Sequence, residues 1–358
     1  MLEPSDILFL GLGKSAVLWY RCTLPAMHLG ADWCGIIGQP PTVNVVTGLV
    51  RGDTQLPRYE DYKIVVLQQP WGRAWLSTIN RLRNELGIKV LYEVDDYLHG
   101  VAKQTAHDFA RHYNKDALRQ HEMCMRACDG MICSTDYIAR RYARYNRNVY
   151  VCKNGLDIAR YKLTRPERKT VNIGWAGATG HVDPLVRWMN EIIPVMAENP
   201  QTNFVAIGQA GLAHPIGQIL GDDRRAIGIP WAPLECYPAA MCMMDIAIAP
   251  SGDTSWYRGK SDLRWLEASA LGIPTIADPV VYPEVEHGVT GVHADSPAAA
   301  AQLLAAMLND PEWTREMGRN AKAYIEQHRT SDIAAAQWME VLSAVHGGHE
   351  SMAQLRRA

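Results

Sequence analysis

The residues with the most chemical content lie late in the chain. Lys260 and Ser261 follow a loop bearing Gly252 and Gly259, and they open a stretch of helical character that carries Glu267 seven residues on. The free N–H groups and positive dipole end of a helix start suit a phosphate, and a lysine there adds a full charge. Seven residues is about two helical turns, so Glu267 falls on the face of Lys260. A carboxylate so placed accepts hydrogen bonds from a ribose diol while the helix start holds a diphosphate. The plain alternative is a surface lysine and a solvated acid, and spacing alone does not choose between them.

Three other groups invite chemistry. Asp95 and Asp96 follow an apolar run at 90–94, where the carboxyl end of a strand often carries function. One of them as a general base toward an acceptor hydroxyl suits an inverting reaction, and the pair could also bind a metal; a helix cap with a solvated acid is the alternative. His181 stands after a turn, as a ligand-facing imidazole or as a cap or packed ring. Arg140, Arg141 and Arg144 begin the densest basic stretch, which continues to Lys169 with Tyr137, Tyr142, Tyr145 and Tyr150 interleaved. Phosphate contacts with stacking would serve a nucleic acid, an anionic lipid surface fits equally, and a solvated helix face explains the same pattern.

Positioning these groups requires alternating buried strands and helices. Strand-length apolar runs occur at 7–10, 35–37, 64–67, 90–94, 130–133 and 149–152, with helical stretches at 17–29, 74–86 and 115–128. A polar, basic segment at 160–170 reads as a linker. The rhythm then restarts with strands at 171–176, 204–208, 245–249 and 273–277 and helices at 184–198, 234–243 and 260–271. Ser296-Pro297 and Asp310-Pro311 each place a capping side chain before a proline at a helix start, and a last helix runs from about 331 to 345. The expected architecture is α/β, two Rossmann-like parallel-sheet domains with a cleft between them.

Bulk properties agree. A chain of 358 residues exceeds what one core usually serves, and 47% hydrophobic with 21% charged residues describes a globular protein. The net charge of −2 leaves no overall attraction to nucleic acid. Eight cysteines without a C-x-x-C pair, and no secretory leader at MLEPSD, read as reduced, mostly buried thiols in a cytoplasmic protein. No apolar stretch approaches membrane-spanning length, so any membrane contact is peripheral. Gly13-Lys14-Ser15 lacks the first glycine of a P-loop, since Leu8 holds that place, and Gly11-x-Gly13 lacks the third glycine of a dinucleotide turn.

The stretch 245–278 resembles the C-terminal domain of the large retaining glycosyltransferase family 4 and its near relatives. Asp245, Ile246 and Pro250 match a strand ending D-I-x-x-x-P; Leu266, Glu267, Ala270, Gly272 and Pro274 match an L-E-x-x-A-x-G-x-P helix. The family usually carries two glutamates eight apart. Glu267 matches the second, and Gly259 stands where the first belongs, so the segment is similar to a subgroup with a G-K-S-x-L-K-x-L-E helix, Arg264 replacing the lysine. Asn154-Gly155-Leu156-Asp157 resembles the family's N-G-V-D, and Ile173-Gly174-Trp175-Ala176-Gly177 with His181 and Asp183 resembles the opening of its second domain. Tyr237-Pro238 and the Gly288 to Gly291 turn also fit. Gly11, Gly13, Tyr20, Arg21 and Pro25 resemble its N-terminal donor-facing loop.

The resemblance implies a GT-B fold. An acceptor domain would span 1–163, completed by a C-terminal crossover helix over 331–350, and a donor domain 170–330. It implies transfer of a sugar from a nucleoside-diphosphate sugar to an acceptor hydroxyl, with retention and without a required cofactor or metal. Lys260, Ser261 and the helix start would neutralise the diphosphate, and Glu267 would orient the ribose. Gly11, Gly13, Arg21 and the turn of Gly177, Ala178, Thr179 and His181 would close over the phosphates and sugar. The expected acceptor is a glycan, a lipid-linked sugar or a small molecule; a modified base in DNA is the rival suggested by the basic stretch. The missing glutamate at Gly259 also leaves open a binding protein of this fold without catalysis.

Overall fold

The computed structural model describes residues 1–12, 16–36, 58–103 and 110–348. The apolar runs form strands buried on both faces, as a parallel sheet covered by helices requires. In the first half these are β1 (Ile7–Leu12), β2 (Asp32–Ile36), β3 (Ile64–Gln68), β4 (Lys89–Val94), β5 (Gly130–Cys133) and β6 (Val149–Val151), all parallel in the order β2-β1-β3-β4-β5-β6. Helices Arg73–Asn84 and Lys115–Ala127 cover one face through Trp75, Ile79, Leu82, Cys124 and Met125. Helix Ser331–His346 covers the other through Trp338, Val341, Leu342 and Val345, with the Trp338 ring edge-on to Phe9. The chain's last described helix therefore completes the core of its first sheet.

The second sheet holds β7 (Val171–Ala176), β8 (Thr202–Gly208), β9 (Ala226–Pro230), β10 (Ile246–Ala249), β11 (Thr275–Ala277) and β12 (Val292–His293), parallel in the order β12-β11-β10-β7-β8-β9. The edge strands β9 and β12 escape sequence reading for physical reasons. β9 is only half-buried and ends in Pro230, tolerable at an edge, and β12 is two residues long.

The chain crosses between the halves twice, and the crossings are tied together. Leu156 donates its N–H to the Arg329 carbonyl at 2.9 Å, and Ser331 donates to the Leu156 carbonyl at 2.8 Å. A Cβ on Gly155 would sit 2.4 Å from the Thr330 carbonyl oxygen, so the Asn154-Gly155 pair needs its glycine for this approach. Arg329 reaches Asp262 at 2.7 and 3.0 Å, Glu284 at 2.6 Å and the Asn154 carbonyl at 3.2 Å.

Some expected helices change shape. The stretch expected at 17–29 contains a π-helical segment, Trp19–Thr23, followed by Leu24–Leu29. The one expected at 234–243 shrinks to Tyr237–Met241. The helix expected at 260–271 starts three residues late, at Leu263, and ends at Ala270. All eight cysteines are free thiols, seven of them buried and Cys236 exposed. Among the described residues, no helix is long and apolar enough to cross a membrane.

Candidate functional site

The carboxyl ends of the first sheet present a cluster of polar groups. β3 runs into Gln69, which adopts φ +45, a left-handed conformation uncommon outside glycine. Its N–H donates to the Glu93 carbonyl at 2.9 Å, and its amide Nε2 donates to Asp95 Oδ1 at 2.6 Å. The Ser134 hydroxyl donates to the Asp95 carbonyl at 2.9 Å. Burial, and then the charges of Asp96 and Glu93, push the Asp95 carboxyl up to about 7, against the opposing pull of Lys260 and Arg21. Gln69 thus holds a buried acid at the carboxyl end of β4.

Beneath this rim lies Arg21, and its placement corrects an expectation. Its guanidinium is buried, donates to Glu93 Oε1 at 2.6 Å, to the Cys152 carbonyl at 2.7 Å and to Asn154 Oδ1 at 2.9 Å, and lies 5.1 Å from the Trp338 ring centre. It ties the π-helical segment to β4, to the segment that follows β6 and to the final helix, and offers no open face to a phosphate. Gly11 is likewise a packing glycine, since a Cβ there would fall 2.0 Å from Leu18 Cδ1. Gly13 lies outside the described residues.

On the facing side, the loop after β10 ends in the single turn Tyr257–Gly259. Lys260 follows in extended conformation (φ −69, ψ 146) and reaches across to Asp96, its Nζ 2.7 and 3.0 Å from the two carboxylate oxygens. The ammonium also lies 4.7 Å from the Trp256 ring centre, and Trp256 stacks on His181 at 4.9 Å. Lys260 and Ser261 therefore precede the helix instead of opening it. Asp262, the helix cap, is held by Arg329. The same-face argument for Lys260 and Glu267 fails for that reason, yet both side chains turn toward the first domain.

Gly259 has a structural explanation. A Cβ there would meet Tyr97 Cβ at 2.9 Å, and its carbonyl accepts from the Thr135 hydroxyl at 3.4 Å. The two halves touch at this point, so Tyr97 occupies the place a glutamate side chain would need.

Glu267 is buried in the helix Leu263–Ala270. The Tyr20 hydroxyl donates to its Oε1 at 2.6 Å and the Tyr237 hydroxyl to its Oε2 at 3.3 Å, with the Tyr161 hydroxyl 3.3 Å from that of Tyr20. Burial pushes the Glu267 carboxyl up to about 7, although both tyrosine hydroxyls favour its charged form. Sequence reading saw Tyr20 and Tyr237 inside its motifs but assigned them no role; it missed Tyr161 and Gln69 altogether.

The turn after β7 stays accessible. Gly177 is required because a Cβ would strike the Trp175 ring at 2.5 Å. Ala178 and Thr179 are exposed, and Ala178 leads into the short turn Thr179–His181 before the helix Val182–Glu198. The Tyr257 hydroxyl donates to the Gly180 carbonyl at 3.1 Å, joining this turn to the Lys260 loop. Among the described residues, no group of three or more His, Cys, Asp or Glu side chains is arranged to hold a metal.

The basic residues separate into two places. Arg140, Arg141 and Arg144 are exposed; Arg141 lies over Tyr137 at 5.1 Å, and Arg144 with Arg126 lies over Tyr145 at 4.7 and 5.1 Å. A cavity of about 620 Å³ at the amino ends of β4, β5 and β6 is lined by Arg83, Lys89, Arg126 and Arg147, and those first three arginines of the patch do not line it.

Residues 170–310 match the family described as Glycosyl transferases group 1. No curated protein matches the chain. Anabaena HepE in complex with UDP-glucose superposes with a TM-score of 0.68 at 16% identity, over 94% of this chain and 99% of that one. Sucrose-phosphate synthase from Thermosynechococcus elongatus gives 0.68 at 15%, over 96% and 99%. A glycosyltransferase from Rickettsia africae gives 0.62 at 11%, over 95% and 98%. At these identities the likeness is one of fold: two Rossmann-like halves arranged as in GT-B glycosyltransferases.

Proposed function

We propose that this chain is a glycosyltransferase that moves a sugar from a nucleoside-diphosphate sugar to an acceptor hydroxyl, with retention of configuration and without a required metal. The observation that carries the reading is the Lys260 ammonium, which stands between the carboxyl ends of two parallel sheets and pairs with Asp96. The family match over the second half and the UDP-glucose of the HepE structure support a nucleotide-sugar donor. Lys260 and Ser261 neutralise the diphosphate as the glycosidic bond breaks. The turn of Gly177, Ala178, Thr179 and His181 covers the phosphates and sugar. Glu267 orients the ribose, a role that requires its tyrosine partners to yield. Asp95, held by Gln69, orients the acceptor hydroxyl, whose proton passes to the departing diphosphate, and Asp96 lies beside it. Arg21 supports this rim from below by fixing Glu93.

The acceptor we favour is a glycan or lipid-linked sugar, in a cytoplasmic setting with peripheral membrane contact. The exposed Arg141–Tyr137 and Arg144–Tyr145 pairs favour a second reading, modified DNA, because guanidinium and ring faces suit phosphate and base. Salt-sensitive binding to duplex DNA supports that reading, and its absence at low salt removes it. The Tyr97 contact at Gly259 keeps a non-catalytic binding protein as a third, which acceptor-independent hydrolysis of a nucleotide sugar would dismiss.

A thermal-shift panel of nucleotide sugars tests the donor site. A ligand 100-fold above its Kd adds about 2.7 kcal/mol to the folded state, and Lys260→Ala should abolish the shift. A panel without any shift, or a shift retained in the variant, defeats the proposal.

A further inference from the structure

Lys260 and Glu267, the two groups assigned to the donor above, share a property that assignment does not explain. Each is already engaged by a side chain of the first domain that mimics what a donor offers. Asp96 presents two anionic oxygens to the Lys260 ammonium at 2.7 and 3.0 Å, as a phosphate would. Tyr20 presents a hydroxyl to Glu267 Oε1 at 2.6 Å, as a ribose would. The two mimics come from different elements, the end of β4 and the π-helical segment. Both contacts join the halves of the molecule, so a donor that replaces them also loosens the closure that the Tyr97–Gly259 contact marks.

We propose that Asp96 and Tyr20 are specificity-determining residues that compete with the donor for Lys260 and Glu267. The inference rests on the donor-site reading above. A ligand that brings only a sugar or only a base displaces neither mimic. A ligand with a diphosphate replaces the single charge of Asp96 by a multiply charged group with more acceptor oxygens. A ligand with a ribose diol replaces the single hydroxyl of Tyr20. Discrimination therefore comes from a cost that wrong ligands cannot meet as well as from contacts that right ones make. The Lys260–Asp96 pair is suited to exchange because its side chains keep 22% and 24% of their exposure and the Trp256 face supports the cation without accepting a hydrogen bond from it.

Calorimetric titration of the whole chain with inorganic pyrophosphate and with UDP separates the two roles. Asp96→Asn should bind both ligands about threefold to tenfold more tightly, because a competing, partly exposed ion pair has been removed. Tyr20→Phe, which keeps the ring, should tighten UDP by a similar factor and leave pyrophosphate unchanged. A merely structural role moves both ligands alike or weakens both, and either outcome for Tyr20→Phe overturns its part. Unchanged or weaker binding in Asp96→Asn overturns the other part while the donor-site reading survives, provided Lys260→Ala loses pyrophosphate. If wild type and Lys260→Ala bind alike, the donor-site reading itself fails and this inference with it. Asp96→Ser, with cooperative melting as the check on folding, answers the same question should the asparagine variant not fold.

Discussion

Two ion pairs at the same edge of the first sheet differ in almost everything but sign. Arg21 and Glu93 are buried to 1% and 0% exposure, and the guanidinium also serves two acceptors on the strand-end segment at 152–154. Lys260 and Asp96 keep about a fifth to a quarter of their exposure and bridge two halves of the molecule. The first pair is locked, because separating it would leave a charge in a medium that cannot solvate it. The second exchanges partners at little cost, because water and an incoming anion both reach it. Proximity to a strand end thus does not make a residue a ligand contact; access does, and Arg21 lacks it.

The largest expected effect breaks the locked pair. Glu93→Ala should cost about 3–5 kcal/mol, since Arg21 stays buried without its carboxylate, whereas Lys260→Ala should cost under about 1 kcal/mol. Denaturant melts of both variants check the contrast, and equal losses would erase it. An intermediate effect concerns the contact between the halves. Gly259→Ala should cost about 1–3 kcal/mol, because the new Cβ meets Tyr97 at 2.9 Å. Gly211→Ala, with open space around it, should stay within about 0.5 kcal/mol in the same melts.

The last effect is a pH dependence. Burial raises both Asp95, beside Asp96 and Glu93, and Glu267 to about 7. The folded protein therefore holds these protons more tightly than the unfolded chain. Their contribution to stability is complete below about pH 4 and is lost as pH rises through about 7. The melting temperature should fall by roughly 2–4 °C per kcal/mol lost between pH 5 and 8. Asp95→Asn should flatten that slope, and an unchanged slope would show that Asp95 does not carry the proton.

Much of the frame was legible from pattern alone. The buried strands β3, β4, β5, β7 and β10 announce themselves as apolar runs, and Ser296 and Asp310 announce their helices by capping them, as the structure shows. The Lys260 segment was legible as a motif, but its conformation was not. Lys260 pairs with Asp96 and Asp262 with Arg329 ahead of the helix, and both partners are remote in sequence. Gln69 was invisible because its interest lies in a backbone angle and in a neighbour 26 residues away.

What the sequence determined by itself is local: which segments are buried strands, which side chains cap helices, and that a lysine and a glutamate sit in one short stretch. Such features depend on neighbours a few residues apart, where propensity and periodicity act. The tertiary structure alone decided that Arg21 supports the rim from within, that Gly259 is a contact between halves, and that Asp96 and Tyr20 cover Lys260 and Glu267. Those outcomes depend on burial and on charges brought together from separate elements, and neither quantity exists until the two sheets face each other.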